Sequence, residues 1–526
     1  MKNKKFLICL LLVAVLAASV LFAACDVLGD LLDGLGGGAS GTVEFYAIND
    51  FHGEWDKMAQ VSGYLTQQKN KGNTVLINSG DMFQGSMESN SNFGALLAAC
   101  MDDTGFDSFT YGNHEFDWGL DNLRNLASNS KTAYLGANIY DWDRDRGWGE
   151  LADFAQEYVI RELDNGIKVG IIGVIGKDQI TSISSQLVQT IGFKDPKEVV
   201  PSLSNKLRNE LGCDIVIVSA HTSQDTFLED TKWNITDYAD AVFCAHSHQN
   251  ETAQLDGVPF IQGGSYGSYV SHVSLTVDEN GNVKCDDYSN IPYSSSWPNK
   301  VSVEQKINNS NESIKEEANK VLATLTGGYL SKSSGVARLV CHAIADYATT
   351  NYSQYPIDLA MVNTGRNSLQ QGEITYTKLY EAIPFDNVVY IAKVSGADIL
   401  YEAKYNYIWR VTGTPIVNSS TQYYYVALID FLLYHQNSNR NYDYFKSAFN
   451  SGFDPVPLEK AGVEAYNYRL ITRDFLLSQG TISYATYSFN NNNTDTSLLE
   501  DTVTLSLAAY ATTLVCNATP NFTFSY

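Results

Sequence analysis

Short β-rich runs recur along the first part of this 526-residue sequence, and longer segments with a helix-favouring composition separate them. Such alternation is typical of layered α/β domains, in which helices cover the faces of β-sheets. We therefore predict an α/β domain over residues 42–290. Its strands are expected at residues 43–48, 74–77, 168–175, 214–219 and 241–245, with a further strand near Phe109.

Nearly every predicted strand ends in side chains of the kind that bind metal ions. Five of the eight histidines of the chain lie at these strand ends, which random placement would not produce. In open α/β sheets the carboxyl ends of neighbouring strands line one crevice, so residues distant in sequence meet there. The sequence therefore predicts a metal centre at one sheet edge, with the candidate ligands Asp50, His52, Asp81, Asn113, His221, His246 and His248.

The spacing and charge of these residues favour two divalent ions. Asp50 and His52 can face one cavity, and the two oxygens of Asp81 can bridge a pair of ions. Two carboxylates against two divalent ions leave about two positive charges, of which a bridging hydroxide removes one. In a chain of formal charge −24, this cationic spot suits a phosphoryl group. The ions would lower the pKa of the bridging water, so that hydroxide attacks phosphorus in line with the leaving oxygen.

His114 follows Asn113 directly and is not needed as a ligand. Its position allows it to stabilise charge in the transition state or to protonate the leaving group. Asp117, three residues later, can hold His114 in its charged and correctly turned form. We predict that His114 and Asp117 form a catalytic pair.

These motifs resemble those of the calcineurin-like metallophosphatases, specifically the secreted bacterial 5′-nucleotidase group. The resemblance covers about residues 42–480 and implies a four-layer αββα sandwich plus a smaller α/β C-terminal domain at residues 331–480. It implies two divalent ions, such as zinc, manganese or cobalt, in two sites that share Asp81. The first site would use Asp50, His52, Asp81 and His248, and the second Asp81, Asn113, His221 and His246. One departure is Ala245, where the family normally has glycine.

The predicted C-terminal domain resembles the nucleotide-binding domain of that family more loosely. By this resemblance Asn363 and Arg366 would contact the substrate, although they lie three residues apart instead of five. Phe385 and Phe431 would be two rings that clamp a base, and ordinary core packing is the alternative for both.

Two further departures concern the substrate. The glycine-rich turn that normally carries an aspartate is replaced by residues 437–444, with Asp443 as a substitute. The arginine that usually precedes the helix near Gly335 is missing, and only Lys332 and Arg338 lie close to that position.

The N-terminus has the features of a bacterial export signal. Three lysines precede an apolar run at residues 6–22, and residues 23–25 resemble a lipobox in which Cys25 would be lipidated. Residues 1–25 are thus predicted to be a lipoprotein signal peptide and residues 26–41 a flexible tether. An uncleaved membrane helix is the alternative, and both interpretations place the folded part outside the cytoplasm as a cell-surface or periplasmic protein.

The remaining segments and the charge complete the prediction. Residues 291–330 are expected to form a linker and a bridging helix over 303–325, and the role of residues 481–526 is left open. The charge of −24 disfavours long nucleic acids and limits membrane contact to the lipid anchor. The favoured function is hydrolysis of small nucleotides, including UDP-sugars or 2′,3′-cyclic nucleotides. The alternatives are a dimetal hydrolase of a non-nucleotide ester and a catalytically silent binding protein.

Overall fold

A computed structural model describes residues 39–229, 233–437, 439–463 and 466–488. The predicted signal peptide, Cys25 and most of the tether and tail lie outside the described residues. No helix in the described part of the chain is both long and apolar enough to cross a membrane.

The N-terminal domain contains two six-stranded mixed sheets, ordered β15-β14-β1-β2-β3-β4 and β12-β13-β11-β10-β8-β7, and a small sheet of β6-β5-β9. The strands are β1 Gly41–Ile48, β2 Thr74–Asn78, β3 Ser108–Thr110, β4 Ala133–Leu135, β5 Ile139–Asp143, β6 Gly147–Leu151, β7 Tyr158–Glu162, β8 Lys168–Ile175, β9 Ile191–Phe193, β10 Ile215–His221, β11 Ala241–Phe243, β12 Asn250–Leu255, β13 Val258–Gly263, β14 Tyr269–Val277 and β15 Val283–Pro292.

The two large sheets pack face to face, and helices cover their outer faces. Along β1, Phe45 joins the core between the sheets, whereas Tyr46 joins the core under the helices, as strand alternation requires. Along β10, Ile217 and Val218 divide in the same way. The four-layer αββα sandwich is thereby confirmed. The α-helices of this part are α1 Trp55–Lys69, α2 Met87–Asn90, α3 Ala95–Thr104, α4 Gly119–Asn129, α5 Pro196–Asn209, α6 Asp225–Leu228 and α7 Val301–Ala318.

The bridging helix is shorter than the sequence predicted. Helix α7 begins at Val301, packs against α1 and α3, and ends at Ala318. The prediction of helix over residues 319–325 was wrong, because Val321–Thr326 forms a strand that starts the second domain. Leu322 and Leu325 of that strand are buried in the C-terminal core, and its partners lie about 50 and 160 residues later.

The C-terminal domain is a smaller α/β unit with a three-stranded sheet, β18-β16-β23, and a five-stranded sheet, β20-β17-β21-β19-β22. Its strands are β16 Val321–Thr326, β17 Ile357–Val362, β18 Gly372–Thr375, β19 Val389–Ser395, β20 Tyr407–Arg410, β21 Tyr423–Ile429, β22 Val456–Pro457 and β23 Thr481–Ser483. Its α-helices are α8 Gly335–Asn351, α9 Tyr376–Ala382, α10 Gly396–Glu402, α11 Asp430–Leu433, α12 Tyr468–Gln479 and α13 Tyr484–Tyr487. Residues 481–488 are the described start of the predicted tail, and their strand and helix belong to this domain.

Candidate dimetal active site

All seven predicted metal ligands lie at or just after the ends of strands in the N-terminal domain. Five of them have a left-handed backbone, with φ between 47° and 74°. Such conformations cost about 1–3 kcal/mol each and persist where the surrounding structure fixes them, commonly at functional sites. The strained residues are Asp50, His52, Asp81, His246 and His248.

The first cluster joins Asp50, His52 and His248, whose donor atoms lie within 4.8 Å of one another. The Nε2 atoms of His52 and His248 are 3.0 Å apart, and Nε2 of His248 lies 3.6 Å from Oδ1 of Asp50. Nδ1 of His52 contacts the carbonyl oxygen of Gln84 at 3.1 Å. This contact fixes the proton on Nδ1 and leaves the Nε2 lone pair for a cation.

The second cluster joins Asp81, His221 and His246, again within 4.8 Å. The amide oxygen of Asn113 completes it, at 2.9 Å from Nδ1 of His246 and 3.3 Å from Nε2 of His221. Oδ2 of Asp81 lies 3.3 Å from Nε2 of His221 and 3.8 Å from Nε2 of His52. One carboxylate therefore faces both clusters, as bridging requires.

Glycine makes this close approach possible. A Cβ atom on Gly112 would lie 2.3 Å from Oδ1 of Asp81, and one on Gly80 would lie 2.6 Å from Nδ1 of His221. No side chain fits at either position, so the glycines before Asp81 and Asn113 are required by packing. Ala245 is accommodated, because it is buried without a left-handed backbone, so this position does not require glycine.

The donor set fits divalent transition-metal ions. Histidine nitrogens with carboxylate and amide oxygens are ligands that zinc, manganese and cobalt accept. Burial lowers the pKa of His246 and of His248 to about 4, so both are neutral at neutral pH and can offer a lone pair. Burial opposes the charge of Asp81, but the neighbouring His221 and His114 hold the pKa of Asp81 well below its usual value.

The predicted catalytic pair is in contact. Nδ1 of His114 donates to Oδ2 of Asp117 at 2.9 Å, which turns Nε2 toward the cavity. Burial lowers the pKa of His114, but Asp81 and Asp117 outweigh it and raise the pKa overall. Nη2 of Arg366, from the C-terminal domain, lies 3.0 Å from Nε2 of His114. The catalytic side chain is therefore contacted by both domains.

One cavity of about 870 Å³ connects the metal ligands with the predicted substrate residues. Phe385 and Phe431 are both half-buried: each packs against the C-terminal core and faces the cavity. The two predicted roles, base contact and core packing, are thus compatible. The lining includes Asn113, His114, His246 and His248 on the N-terminal side and Asn363, Arg366, Phe385 and Phe431 on the other.

Comparison with known proteins agrees with this geometry. Residues 43–250 match the calcineurin-like phosphoesterase family, and residues 318–402 match the 5′-nucleotidase, C-terminal domain. The chain combines a calcineurin-like phosphoesterase domain with a 5′-nucleotidase C-terminal domain. It is accordingly an enzyme that hydrolyses phosphoric esters with two divalent metal ions.

Relatives of this phosphoesterase carry several names. It is 26% identical over 405 residues to an apyrase of Tabanus yao, covering 67% of this chain and 71% of the apyrase. It is 25% identical over 382 residues to Endonuclease YhcR of Bacillus subtilis (strain 168), covering 66% of this chain but only 30% of that protein. The crystal structure of a 5′-nucleotidase precursor from Thermus thermophilus has the same fold, with a TM-score of 0.67 and 17% identity, over 84% and 97% of the two chains.

Glu115 is a buried residue of the phosphoesterase site to which the sequence analysis gave no role. Its carboxylate accepts from the backbone N–H groups of Asp81, Met82 and Gly112 at 2.8–2.9 Å. Glu115 thus ties the loop that carries Asp81 to the loop that carries Asn113. The signal in the sequence was its place within the 112–117 motif.

Arg469 is a second residue that sequence reasoning missed. It is buried, and its guanidinium donates to the carbonyl oxygens of Pro384 and Phe385 and to the carboxylate of Asp386. Nε1 of Trp118 in the N-terminal domain also donates to Asp386, at 3.3 Å. These contacts hold the loop that positions Phe385. Nothing in the local sequence around Arg469 indicates this, because its partners lie more than 80 residues earlier.

The region that replaces the glycine-rich turn differs from the prediction. Asp443 was predicted to substitute for a direct substrate contact, but its carboxylate accepts from Nδ1 of His435 at 2.6 Å. His435 and Tyr444 line the cavity, and the lining does not include Asp443. Lys332 does line it, at the place where the missing arginine was expected.

Proposed function

We propose that this phosphoesterase hydrolyses phosphate esters of small nucleotides. The observation that carries the proposal is the shared cavity, in which the metal-ligand clusters lie beside two half-buried aromatic rings. Aromatic faces bind the π-face of any base and add about 1–3 kcal/mol per stacked base in other proteins. A volume of about 870 Å³ lies within the range for small-molecule sites.

The residues of the site would take separate roles in binding the two metal ions and in holding the ligand loops. Asp50, His52, Asp81 and His248 would hold one ion, and Asp81, Asn113, His221 and His246 the other. When bound, the two ions supply Lewis acidity toward the phosphoryl group and lower the pKa of water. Glu115 and the glycines keep the ligand loops in place, so little reorganisation is needed when substrate binds.

Nε2 of His114 and Nη2 of Arg366 lie 3.0 Å apart, and both residues line the cavity. A phosphoryl oxygen there would be shared by an imidazole and a guanidinium, and both interactions strengthen as negative charge develops. Asp117 keeps the proton of His114 on Nδ1 in the neutral ring and favours the doubly protonated ring. In that form His114 can donate a proton from Nε2 to the leaving oxygen.

Export and a lipid anchor on Cys25 are part of the same proposal. They rest on the signal-like N-terminus, and an extracellular nucleotidase would release phosphate and nucleoside for uptake. Labelling of cells with a radioactive fatty acid tests the anchor. The full-length chain should take up label and the Cys25→Ser variant should not, whereas equal labelling would contradict lipidation at this residue.

A substrate panel tests the proposed activity. The full chain, supplied with manganese, cobalt or zinc, is assayed with AMP, UDP-glucose, 2′,3′-cyclic AMP and a generic aryl phosphate. We expect at least one nucleotide to be turned over with a kcat/KM above that of the aryl ester. Turnover of the aryl ester alone would reject the nucleotide proposal. No turnover of any substrate, with the metals bound, would favour a binding protein.

A further inference from the structure

The chain around His435, described at residues 434–437 and 439–444, forms part of the cavity wall and is held by contacts at both ends. An antiparallel bridge joins Gln436 to Tyr442, so the chain doubles back and brings His435 beside Tyr444. This segment stands in place of the shorter glycine-rich turn expected from the family resemblance. Its contribution to the site is therefore particular to this chain.

The imidazole of His435 is held in one orientation by three neighbours. Nδ1 donates to Oδ1 of Asp443 at 2.6 Å, and the ring stacks on Tyr444 with parallel planes and centroids 3.6 Å apart. Its edge meets the ring of Phe431 at a centroid distance of 6.1 Å. Only 11% of the side chain is exposed. With Nδ1 and one face engaged, Nε2 is the polar atom of the ring that remains for a ligand.

The N-terminal domain supports this wall from outside. Oγ of Ser185 donates to the carbonyl oxygen of Tyr434 at 2.6 Å. Arg440 reaches across the domain boundary, where its guanidinium lies 3.9 Å from the ring centroid of Trp142 and donates to the carbonyl oxygens of Val188 and Ile191. The wall that carries His435 is thus fixed relative to the domain that carries the metal ligands.

We propose that His435 determines substrate specificity by forming a hydrogen bond through Nε2 with a sugar hydroxyl of the nucleotide. This inference rests on the proposed function. Nε2 of an imidazole accepts a hydrogen bond when the ring is neutral and donates one when the ring is doubly protonated, and a sugar hydroxyl can pair with either form. The sugar is the polar part of a nucleotide next to the base, and His435 is a polar residue of the cavity whose ring meets Phe431. Asp443 acts as a positioning residue, because it orients the ring and does not line the cavity.

The first test compares His435→Ala with the wild type on AMP, 2′-deoxy-AMP, 3′-deoxy-AMP and an aryl phosphate. Loss of one hydrogen bond should raise KM for AMP by about 3- to 10-fold and leave kcat within about twofold. On the deoxy analogue that lacks the contacted hydroxyl, and on the aryl ester, the variant should match the wild type. An unchanged KM for AMP, or an equal rise on every substrate, would overturn the inference.

Three further variants separate a substrate contact from a structural effect. His435→Gln can place a polar atom near the position of Nε2 and should recover part of the affinity for AMP. Asp443→Asn should raise KM for AMP less than His435→Ala does, because the ring remains but is less firmly oriented. His342→Ala removes another stacked histidine of this domain, which packs on Trp409 and does not line the cavity, and should leave KM for AMP unchanged. Failure of His435→Gln to recover any affinity, or a matching rise with His342→Ala, would count against the contact.

A binding measurement is independent of turnover. Calorimetry with adenosine, which has no phosphate, should show affinity weakened about 3- to 10-fold by His435→Ala, in line with the loss of one hydrogen bond. Equal affinity in the two proteins would contradict the proposed contact. If the wild type turns over the aryl ester but no nucleotide and does not bind adenosine, the proposed function itself has failed.

Discussion

The two sides of the cavity are specified in different ways. On the metal side the ligands lie at or just after strand ends, five of the seven have a left-handed backbone, and two glycines leave room for them, so the sandwich itself fixes their positions. On the substrate side the functional residues lie on loops and are held by distant partners, such as Arg469 for Phe385. The positions of the metal ligands therefore follow from the fold, whereas the residues proposed to contact the substrate lie on loops that can change independently.

The largest expected effect concerns Asp81, which faces both clusters. Asp81→Asn should lower kcat on the order of 10³-fold on every substrate, as loss of a preorganised electrostatic group does elsewhere. Mass spectrometry should find fewer than two ions per chain. Asp121→Asn, whose side chain is fully exposed, is the control and should retain activity. A loss of kcat that differs between substrates would contradict the separation of the metal side from the substrate side.

His114→Ala should reduce kcat by about 10²- to 10⁴-fold, the usual contribution of a general acid. Metal content should stay at two ions per chain, because His114 lies outside both clusters. Steady-state kinetics and elemental analysis of the same preparation check both statements. An unchanged rate would remove His114 from the mechanism, and loss of metal would make it a ligand.

Phe385→Ala acts on the substrate side and should raise KM for nucleotides by about 5- to 150-fold, equivalent to about 1–3 kcal/mol of lost stacking. KM for an aryl phosphate should rise much less. Phe453→Ala removes another half-buried ring from the same domain, away from the cavity, and serves as the matched control. An equal rise in KM for both substrates would indicate that the Phe385 ring has only a packing role.

The smallest expected effect concerns Arg440, which joins the substrate wall to the N-terminal domain. Arg440→Ala removes a cation–π contact and two hydrogen bonds that are partly replaced by water, so KM for AMP should rise about 2- to 5-fold. Turnover of the aryl phosphate should not change. Arg146→Ala, an exposed arginine of the N-terminal domain, is the control. A rise in KM larger than that caused by Phe385→Ala would show that the contacts of Arg440 affect more than substrate affinity.

The sequence predicted the metal side well for a physical reason. Each candidate ligand follows a strand that its local pattern predicts, and parallel strands bring their ends together without further information. The role of Glu115 in holding the ligand loops could have been inferred from its place in the same motif. Its carboxylate lies beside those loops and accepts from their backbone N–H groups. The predicted strands agree with the observed ones within two residues at each end.

The features that the sequence did not predict depend on contacts between residues that are distant in sequence. Val321–Thr326 reads locally as a continuation of helix α7, but pairing with β18 and β23 makes it a strand. The engagement of Asp443 by His435 depends on the bridge between Gln436 and Tyr442, which no short pattern encodes. The contact between Arg366 and His114 joins residues 252 positions apart, on different domains.

Metal stoichiometry of the active protein tests the central claim most directly. The purified chain is stripped with a chelator, titrated with manganese or zinc, and followed at once by elemental analysis and by phosphate release. Activity should rise with metal content and reach its plateau at two ions per chain. Full activity with no bound ion, or with a single ion at saturation, would contradict the account.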